Sequence, residues 1–515
     1  SAPVLLGIAL AVSPAPAQAE TSTSLAVERE KNRHGLFSKE TFVDRDGNPV
    51  MADDMLYCYA EHEYSRLPAR IRTKFYDVDG NHVETAYGYS TIEYKWSGLG
   101  WFLEERYKDL EGNLVLCENG YAEKKQTYQG EHVKSISHYD TEGRLCRQRG
   151  YWAEMINTID TETGYTTKVE YFDEKGHYAL CEEGWAYVER EYTRKKLSKE
   201  VYYDTEGNSV FVEGAGYARY EVKKDKWDRF TEEAWFDEND GLLNTQNGYA
   251  RKVMTYDPKD ERRDAKPISE EYFDASENRV NCSGGYARVE YEYDSNDRLI
   301  EKRYYDMNGN PVVGSEGYWR YTTGYTMHGE QGFERYYGTD GNLLRMPDLG
   351  YASVEYIYEN KKYLSRETYY DENGEEVIGY NGYSRIDYTY ELIKNKYKRI
   401  LDYKEFKDPQ GNPVYAIKEG CAQISYEYDD LDNVIREDYL DGEAMITANG
   451  YAYKTFDYSA ENQVIGEKYF DQNDNGVPSI EGYQEKRVSY DSYGFGAGEA
   501  YFDAEGNPVR NHDGV

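Results

Sequence analysis

The sequence is poor in positive charge relative to its acidic content. Among 515 residues, 61 Lys and Arg stand against 97 Asp and Glu, which gives a formal net charge of −36. Nucleic-acid binding depends on Lys and Arg that neutralise phosphates, and anionic membrane surfaces attract the same two residue types. The composition therefore argues against nucleic acid and against anionic membranes as partners.

The sequence also lacks a long apolar run. Residues 3–12 (PVLLGIALAV) are apolar but too short for a membrane-spanning helix, and Ala17-Gln18-Ala19 follows them. A short apolar segment before a small-x-small site is typical of a secretory signal peptide. We expect residues 1–19 to be the remnant of a signal peptide, a mature start at Glu20, and no membrane insertion after cleavage. A disordered leader rich in Ala and Pro is the alternative, and the absent initiator Met predicts that the chain begins inside the signal peptide.

Cysteine is scarce, at six residues, and no two form a Cys-x-x-Cys pair. Cys117, Cys146 and Cys181 occupy related positions before a Gly-aromatic step, so Cys117–Cys146 and Cys146–Cys181 are candidate disulfides in an exported protein. The alternative is that these cysteines are small apolar residues at a partly buried position. The cysteines have no metal-ligand spacing. Asp44 to Gly47 and Asp77 to Gly80 resemble the opening of calcium loops but lack the further oxygen ligands, so we expect no metal site.

Catalytic motifs are equally absent. The eight histidines share no position, and neither Gly-x-Ser-x-Gly nor His-Glu-x-x-His occurs. Carboxylates are so frequent that no glycosidase pair can be singled out. We therefore expect no catalytic or cofactor-binding residues, no cofactor, and no enzymatic activity.

What the sequence has in abundance is a repeat with a period of about 32 residues, the signature of a quasi-one-dimensional array. Each unit carries an aromatic pair followed by Asp-x-x-Gly, and then a Gly-Tyr step. We expect a lead-in over residues 20–41 and an array of about fifteen units over 42–515, truncated at the C-terminus. The repeated Asp residues are Asp44, Asp77, Asp109, Asp140, Asp173, Asp204, Asp237, Asp274, Asp306, Asp371, Asp408, Asp441, Asp471 and Asp503, with Gly338 in register in the remaining unit.

One unit, residues 285–311, predicts two strands. Apolar and polar residues alternate from Tyr286 to Tyr293, which indicates a strand with one packed face. Asp294 to Asp297 predicts a turn, and a second strand follows to Tyr305, so the pair is a hairpin. Because no segment has a helical period, the prediction is an all-β, elongated or spiralling array of β-hairpins.

The sequence is also rich in tyrosine, with 58 Tyr against 15 Phe. A Tyr ring packs at one end and needs water or a hydrogen-bond partner at the other. Amphipathic ladders within a thin β-structure explain this excess, and an aromatic face that stacks on sugars or peptides is the alternative. Trp185 and Cys421 stand where other units have Tyr, and we interpret both as sequence drift.

The chain resembles the YD (Rhs-type) repeats of bacterial surface and toxin proteins. The resemblance rests on Tyr291-Glu-Tyr-Asp294, Tyr426-Glu-Tyr-Asp429 and Tyr139-Asp140-Thr-Glu-Gly, and it covers roughly residues 40–515. It implies a long sheet of hairpins, in some members a hollow shell around a toxin. Regular Gly-Asn-Pro-Val and Gly-Tyr-Ala elements depart from that family. A weaker similarity is to the aromatic cell-wall-binding repeats of Gram-positive surface proteins.

These observations predict a secreted or cell-surface repeat scaffold that binds an extracellular glycan or protein through Tyr-rich faces. The alternative is an encapsulating or presenting array of a larger toxin or enzyme whose effector domain is absent from this chain.

Overall fold

The structure is a computed structural model that describes residues 26–32, 36–44, 48–52, 54–65, 69–393, 398–442, 444–445, 449–490 and 496–511. The signal-peptide remnant predicted for 1–19 lies outside the described residues. Every regular element within these ranges is a β-strand, and none of them contains a helix. The all-β hairpin array predicted from the sequence is therefore confirmed.

The chain divides into two units by its internal contacts. The first comprises Ser1–Val222 with Trp235–Gly241, and the second comprises Lys223–Ala234 with Leu242–Val515. Strands β1 to β12 belong to the first unit: β1 (Ala26–Lys31), β2 (Phe37–Val43), β3 (Tyr59–Tyr64), β4 (Arg70–Tyr76), β5 (Thr91–Trp96), β6 (Phe102–Lys108), β7 (Glu123–Gln129), β8 (His132–Tyr139), β9 (Glu154–Ile159), β10 (Thr166–Phe172), β11 (Tyr187–Thr193) and β12 (Lys196–Tyr203). Strands β13 (Arg219–Lys224) and β14 (Phe230–Phe236) have residues in both units.

The remaining strands belong to the second unit. They are β15 (Arg251–Thr255), β16 (Ser269–Phe273), β17 (Arg288–Tyr293), β18 (Leu299–Tyr305), β19 (Arg320–Tyr325), β20 (Gln331–Tyr337), β21 (Ser353–Glu359), β22 (Tyr363–Tyr370), β23 (Arg385–Ile393), β24 (Lys398–Lys407), β25 (Gln423–Tyr428), β26 (Val434–Asp441), β27 (Ala444–Met445), β28 (Tyr453–Tyr458), β29 (Val464–Phe470), β30 (Glu485–Tyr490) and β31 (Gly496–Phe502). The described part of the predicted lead-in contains β1 and the start of β2, which pair with each other.

Strand pairing is antiparallel and follows sequence order. In the first unit each strand from β1 to β12 pairs with the next one along the chain. The same holds in the second unit, where β26 pairs with β28 and the short β27 adds to β26. Strands of one hairpin pair over more residues than strands of successive hairpins: β17 and β18 share six residue pairs, whereas β18 and β19 share three. Neighbouring hairpins therefore need contacts beyond the ladder to hold together.

The first turn of each unit joins the two strands of a hairpin, and β17 and β18 illustrate it. Asp294 Oδ1 accepts the backbone N–H groups of Asn296 (2.9 Å) and Arg298 (3.0 Å). Asp297 closes the turn with φ of 59°, a left-handed conformation that Asp tolerates better than most residues. A turn of this kind produces a β-bulge, and the pairing register shifts between Glu292 and Tyr293.

The second turn follows the hairpin and has the predicted Asp-Gly chemistry. Asp306 Oδ1 accepts the N–H groups of Asn308 and Asn310, both at 2.8 Å. Gly309 lies at φ of 83°, where a side chain would be strained. The chain then returns beside the hairpin, with Pro311 bridging Tyr305. We call the segment from this bridge to the next Gly-Tyr step, residues 311–318 here, the connector.

The third turn lies within the connector and ends at the Gly-Tyr step. Gly350 and Gly382 occupy its left-handed position, with φ of 78° and 90°. A Cβ on Gly382 would lie 2.7 Å from the backbone oxygen of Tyr415, and one on Gly350 would lie 2.9 Å from the nitrogen of Tyr380. The connectors of Tyr380 and Tyr415 therefore rest on the third turn before them, and the Gly-Tyr step at these two places needs Gly for two reasons.

The core of each unit lies between the hairpins and the connectors. Tyr304 of β18 is 2% exposed and packs in one cluster with Val289 of β17 and with Tyr318, which follows the third turn. Ala287 and Val289 are buried, whereas Glu292 on the alternate face is exposed. The alternation predicted for this strand is confirmed.

We expect the array to lose stability in acid, because the Asp carboxylates of its second turns accept their hydrogen bonds best in the ionised form. Hydrogen bonds from the side-chain amides of Asn412, Asn475 and Asn507 hold the pKa values of Asp408, Asp471 and Asp503 below the ordinary value of 3.8. Their contribution is present above that pH and is lost as pH falls through the lowered values. The thermal midpoint, followed by circular dichroism from pH 6 to 2.5, should fall below pH 4.

The matched variant is the triple Asp408→Asn, Asp471→Asn, Asp503→Asn. Asn still accepts the two backbone N–H groups but does not titrate. The thermal midpoint of the triple variant should therefore fall less in acid than that of the wild type. Asp348→Asn, a change at an exposed connector residue, is the control. Equal acid slopes for the triple variant and the wild type would contradict this prediction.

Candidate functional site

The tyrosines that dominate the composition form ladders of packed rings in the core of each unit. Ring centroids lie 4.3 Å apart for Tyr286 and Tyr304 and 5.7 Å apart for Tyr304 and Tyr318. Such pairs contribute about 0.5–1.5 kcal/mol beyond the area they bury. The ladder of the second unit runs through Tyr249, Tyr272, Tyr286, Tyr304, Tyr318, Tyr336, Tyr351, Tyr369, Tyr383 and Phe406, and again through Tyr439, Tyr451, Tyr469, Tyr483 and Tyr501.

Three residues that depart from the repeat pattern, Trp185, Cys421 and Gly338, lie in the ring ladder or in a turn. Trp185 continues the ladder of the first unit, with its ring 5.0 Å from Tyr171 and 5.4 Å from Tyr202. Cys421 is fully buried in the cluster that holds Phe406 and Tyr439, so the run of rings is broken there. Gly338, in the second-turn position of Asp, is compensated by Asp340, whose Oδ1 accepts the N–H of Asn342 at 3.0 Å. All three are accommodated as structural parts of the repeat.

Glutamates on the strands satisfy the hydroxyls of the buried rings. Glu105 Oε1 accepts from the hydroxyls of Tyr107 (2.9 Å) and Tyr121 (3.0 Å). Glu367 accepts in the same way from Tyr369 (2.7 Å) and Tyr388 (2.6 Å). Burial is the main reason that the pKa values of these four phenols are raised well above the ordinary value of 10. The Tyr excess is thus matched by internal acceptors.

A further tyrosine, at the end of the first strand of many hairpins, links successive repeats. Tyr428 donates its hydroxyl to the backbone oxygen of Leu401 at 2.7 Å, and Tyr490 donates to that of Val464 at 2.9 Å. The acceptors lie next to the bulges of the preceding hairpins, where the ladder register shifts. The same hydroxyl-to-carbonyl bond is made by Tyr64, Tyr192, Tyr256, Tyr293, Tyr325 and Tyr458.

The opposite face of the sheet carries cations stacked on rings and paired with carboxylates. The guanidinium of Arg320 lies 3.9 Å from the ring centre of Tyr337, directly across the hairpin. Asp387 is held between Arg366 (2.6 Å) and Lys407 (2.9 Å), which keep its pKa below the ordinary value although burial raises it. The rings of this face are therefore covered by cations of the same chain.

The cysteines form no disulfide in the structure. All six cysteines are free thiols in the structure, and Cys117 and Cys181 are buried while Cys146 is partly buried. The alternative of small apolar residues thus describes them, and the candidate pairs Cys117–Cys146 and Cys146–Cys181 are not formed. Among the described residues, no group of three or more His, Cys, Asp or Glu is arranged to hold a metal ion.

Exposed aromatic and aliphatic side chains lie on connectors of both units, and five of them lie between residues 378 and 480 of the second unit. Tyr380 is 63% exposed and Ile417 is 70% exposed, and Ile378, Tyr415 and Ile480 are exposed as well. We call these five residues the connector surface. Among the described residues, the other tyrosine with an exposed side chain is Tyr151, on a connector of the first unit.

Backbone hydrogen bonds hold the connector surface in register. Tyr380 donates its N–H to the oxygen of Leu349 (3.1 Å), and Ile417 donates to that of Asn381 (2.8 Å). The Tyr415 hydroxyl donates to Asp441 Oδ2 at 2.9 Å, which fixes the orientation of its exposed ring. Rigid, exposed apolar groups of this kind are typical of binding surfaces.

A second candidate is a polar cavity of about 560 Å³ beside the long loop between β15 and β16. Arg262 on this loop donates to Asp260 and Asp297, and Lys266 donates to the backbone oxygen of Asp297 at 2.7 Å. The cavity is lined by Asp257, Asp260, Lys266, Ile268, Ser269, Glu290, Tyr291, Glu292, Tyr293, Asp294, Asp297 and Arg303. These ion pairs attach the loop to the next hairpin, so they explain the cavity as a structural feature.

The sequence predicted neither place. A signal for the loop was present in the wide spacing between Asp237 and Asp274, where one hairpin turn is expanded. A signal for the connector surface was the change from polar to apolar residues at the third turn, at Tyr380, Ile417 and Ile480. Both signals are visible only once the turns have been placed in register.

No protein-family model and no curated protein matches the chain. Among solved structures, it is similar to the TcdB2–TccC3 complex at 10% identity and a TM-score of 0.26, over 95% of this chain and 31% of that one. The Tc holotoxin pore of Photorhabdus luminescens matches at 10% identity and a TM-score of 0.24, over 90% of this chain and 24% of that one. A porin-like protein from Bacteroides uniformis matches at 12% identity and a TM-score of 0.22, over 50% of this chain and 92% of that one.

This chain thus spans about a quarter to a third of the length of the toxin chains. Likeness at these TM-scores supports no conclusion about its function. Over the part of the chain that the structure describes, no helix has the length and apolar character needed to cross a membrane.

Removing a strand-end hydroxyl should weaken the bond between repeats. In Tyr428→Phe the backbone oxygen of Leu401 loses its donor, which costs about 1–2 kcal/mol when the group is partly buried. The midpoint of urea unfolding should therefore fall. Tyr380→Phe, at an exposed ring, should leave the midpoint unchanged, and an equal effect of the two substitutions would contradict the assigned role.

His138 places a buried polar ring in the ladder, and we expect its replacement by an apolar ring to stabilise the protein. It is 1% exposed between Tyr121 and Trp152, and its Nδ1 has no hydrogen-bond partner among the described residues. Burial, followed by the charge of Lys124, lowers its pKa from 6.5 to about 3. Because the unfolded chain binds the proton more readily, stability falls as pH drops from 6.5 toward 3.

We expect His138→Phe to raise the thermal midpoint at pH 7, since the unpaired nitrogen costs about 1–3 kcal/mol. The gain over the wild type should widen as pH falls to 5. His328→Gln, at an exposed residue of a hairpin turn, is the control. A gain that does not change between pH 7 and pH 5 would show that His138 does not titrate on unfolding.

Proposed function

We propose that the chain is a non-enzymatic repeat scaffold, secreted or held at the cell surface, that binds an extracellular glycan or protein through its connector surface. The observation that carries the proposal is the exposure of Tyr380 and Tyr415 on neighbouring connectors, in an array that buries most of its other tyrosine rings. A rigid ring offers a large contact area at a low entropy cost. The binding role moves from the Tyr-rich faces predicted from the sequence to the connectors, because hydroxyls and rings of the ladder already have partners.

We also propose that the repeats are of the YD (Rhs) type. Support comes from the roles that the two motif residues have in this chain. In Tyr293-Asp294 the tyrosine donates to the preceding hairpin and the aspartate caps its own turn. Tyr428-Asp429 repeats both contacts. The pair thus combines the two interactions that a hairpin array needs at each step.

The net charge of −36 supports a partner other than nucleic acid. The second function predicted from the sequence was an encapsulating or presenting array of a larger toxin or enzyme. It stays a prediction, since no contact among the described residues favours it.

The test is a binding screen of the purified, full-length chain against bacterial and host glycans and against extracellular proteins. The double variant Tyr380→Ala, Tyr415→Ala should bind its ligand at least tenfold more weakly, because it removes both exposed rings while the ladder stays intact. Tyr151→Ala is the matched control on another connector. Silence in both panels, or equal binding by the double variant, would refute the proposal.

A further inference from the structure

The connector surface arises from one repeated position that changes chemistry along the chain. This position is the second residue of the third turn, and it is exposed in each repeat named here. It is apolar in three repeats of the second unit, at Tyr380, Ile417 and Ile480. In other repeats it is polar, at Glu118, Arg149, Glu182, Ser283 and Ser315. The fold therefore tolerates polar residues at this position, and packing does not require apolar ones.

The apolar residues of adjacent connectors lie close enough to act together. A Cβ on Gly382 would lie 2.9 Å from Cγ1 of Ile417, and one on Gly350 would lie 3.1 Å from Cδ1 of Tyr380. Each exposed side chain thus lies over the third turn of the preceding repeat. Ile378 and Tyr415 add a second exposed residue on the same two connectors. The result is an apolar strip across two successive repeats, and Ile480 takes the same position two repeats further along the chain.

The chemistry of this strip favours a polypeptide over a sugar. A bound sugar has hydroxyl groups that need hydrogen-bond partners, and hydroxyls set against aliphatic side chains lose those made with water. Three of the five exposed residues are isoleucine. Aliphatic and aromatic side chains of a polypeptide match such a strip without unpaired polar groups.

The rim of the strip is acidic. Asp348, Glu419, Asp441 and Glu481 lie on or beside its connectors, where Arg345 and Lys418 are the bases, so acidic residues outnumber basic ones. A second copy of the chain would bring another −36 charges to this rim, and the repulsion opposes self-association. Charge complementarity therefore selects a basic partner.

The spacing of the repeats fits a helix. Neighbouring strands lie about 4.8 Å apart, so a two-strand repeat advances by about 10 Å. Seven residues of α-helix rise by about 10.5 Å. A helix with an apolar residue at every seventh position can therefore present one side chain to each connector.

We propose that the connector surface docks a basic amphipathic α-helix of a partner protein, with its apolar face on Tyr380, Ile417 and Ile480 and its Lys or Arg residues toward the acidic rim. This inference rests on the proposed binding function and selects protein over glycan as the ligand class. Helices laid on an apolar surface are a recurrent mode of peptide recognition.

The experiment uses the full chain and a synthetic helical peptide of Leu and Lys with a Leu face in heptad register. A second peptide has Glu in place of every Lys. The test variant is Tyr380→Ser, Ile417→Ser, because serine is the natural residue at this position in other repeats (Ser283 and Ser315). The control variant is Leu116→Ser, at an exposed connector residue of the first unit. Circular dichroism and thermal unfolding check that both variants are folded.

We expect the Leu/Lys peptide to bind the wild type and the Leu116→Ser variant equally, and the double variant at least tenfold more weakly. Raising NaCl to 0.5 M should weaken binding, and the Leu/Glu peptide should not bind. Equal binding of the Leu/Lys peptide by the folded double variant, or no binding of this peptide by the wild type, would overturn the inference. If a glycan instead binds through Tyr380 and Tyr415, the inference fails and the proposed function stands. If neither peptide, glycan nor extracellular protein binds, both fail.

Discussion

The structure depends on the two ends of the tyrosine side chain being used at once. The ring packs against rings of adjacent strands, and the hydroxyl reaches an acceptor that the chain places within reach, either a strand glutamate or a backbone carbonyl beside a bulge. Phenylalanine supplies the first interaction without the second, so it would leave the acceptor at the bulge unpaired. Because successive hairpins share only three residue pairs of ladder, as β18 and β19 do, these side-chain contacts supply much of the adhesion between repeats.

Because the rings and the hydroxyls both have partners within the chain, a protein this rich in tyrosine has few exposed rings that could contact a ligand. On the core face the rings are buried, and on the other face cations such as Arg320 cover them. The exposed rings to which we assign the binding role are on the connectors, whose backbone path is fixed by glycine and hydrogen bonds while their outward side chains vary. The array thus separates a constant framework from a variable display, as loops on rigid scaffolds commonly do.

Much of the fold was predictable because its determinants are local. The alternation from Tyr286 to Tyr293 and the Asp306-x-x-Gly309 turn predict the hairpin and its closure directly. The pairing of Tyr428 with Leu401, by contrast, spans two hairpins and depends on a bulge that no local pattern displays. The connector surface was missed for a related reason: exposure of Ile417 depends on how one connector rests on another, which a sequence read unit by unit does not contain. The disulfide alternative failed as well: Cys117 and Cys146 pack against the same core cluster, yet both are free thiols, and Cys146 Sγ lies 3.7 Å from the backbone oxygen of Gly120.

The interruption of the ring ladder at Cys421 has a consequence for how the second unit responds to stress. In an array whose stability is a sum of repeat and nearest-neighbour terms, cooperativity is carried by those neighbour terms. A thiol between Phe406 and Tyr439 replaces two ring contacts by a smaller side chain, which weakens the coupling at that point. One core cluster still spans both sides of Cys421, but no ring contact joins Phe406 to Tyr439, so we expect a load or a local unfolding event that starts on one side to have a natural stopping place at this residue.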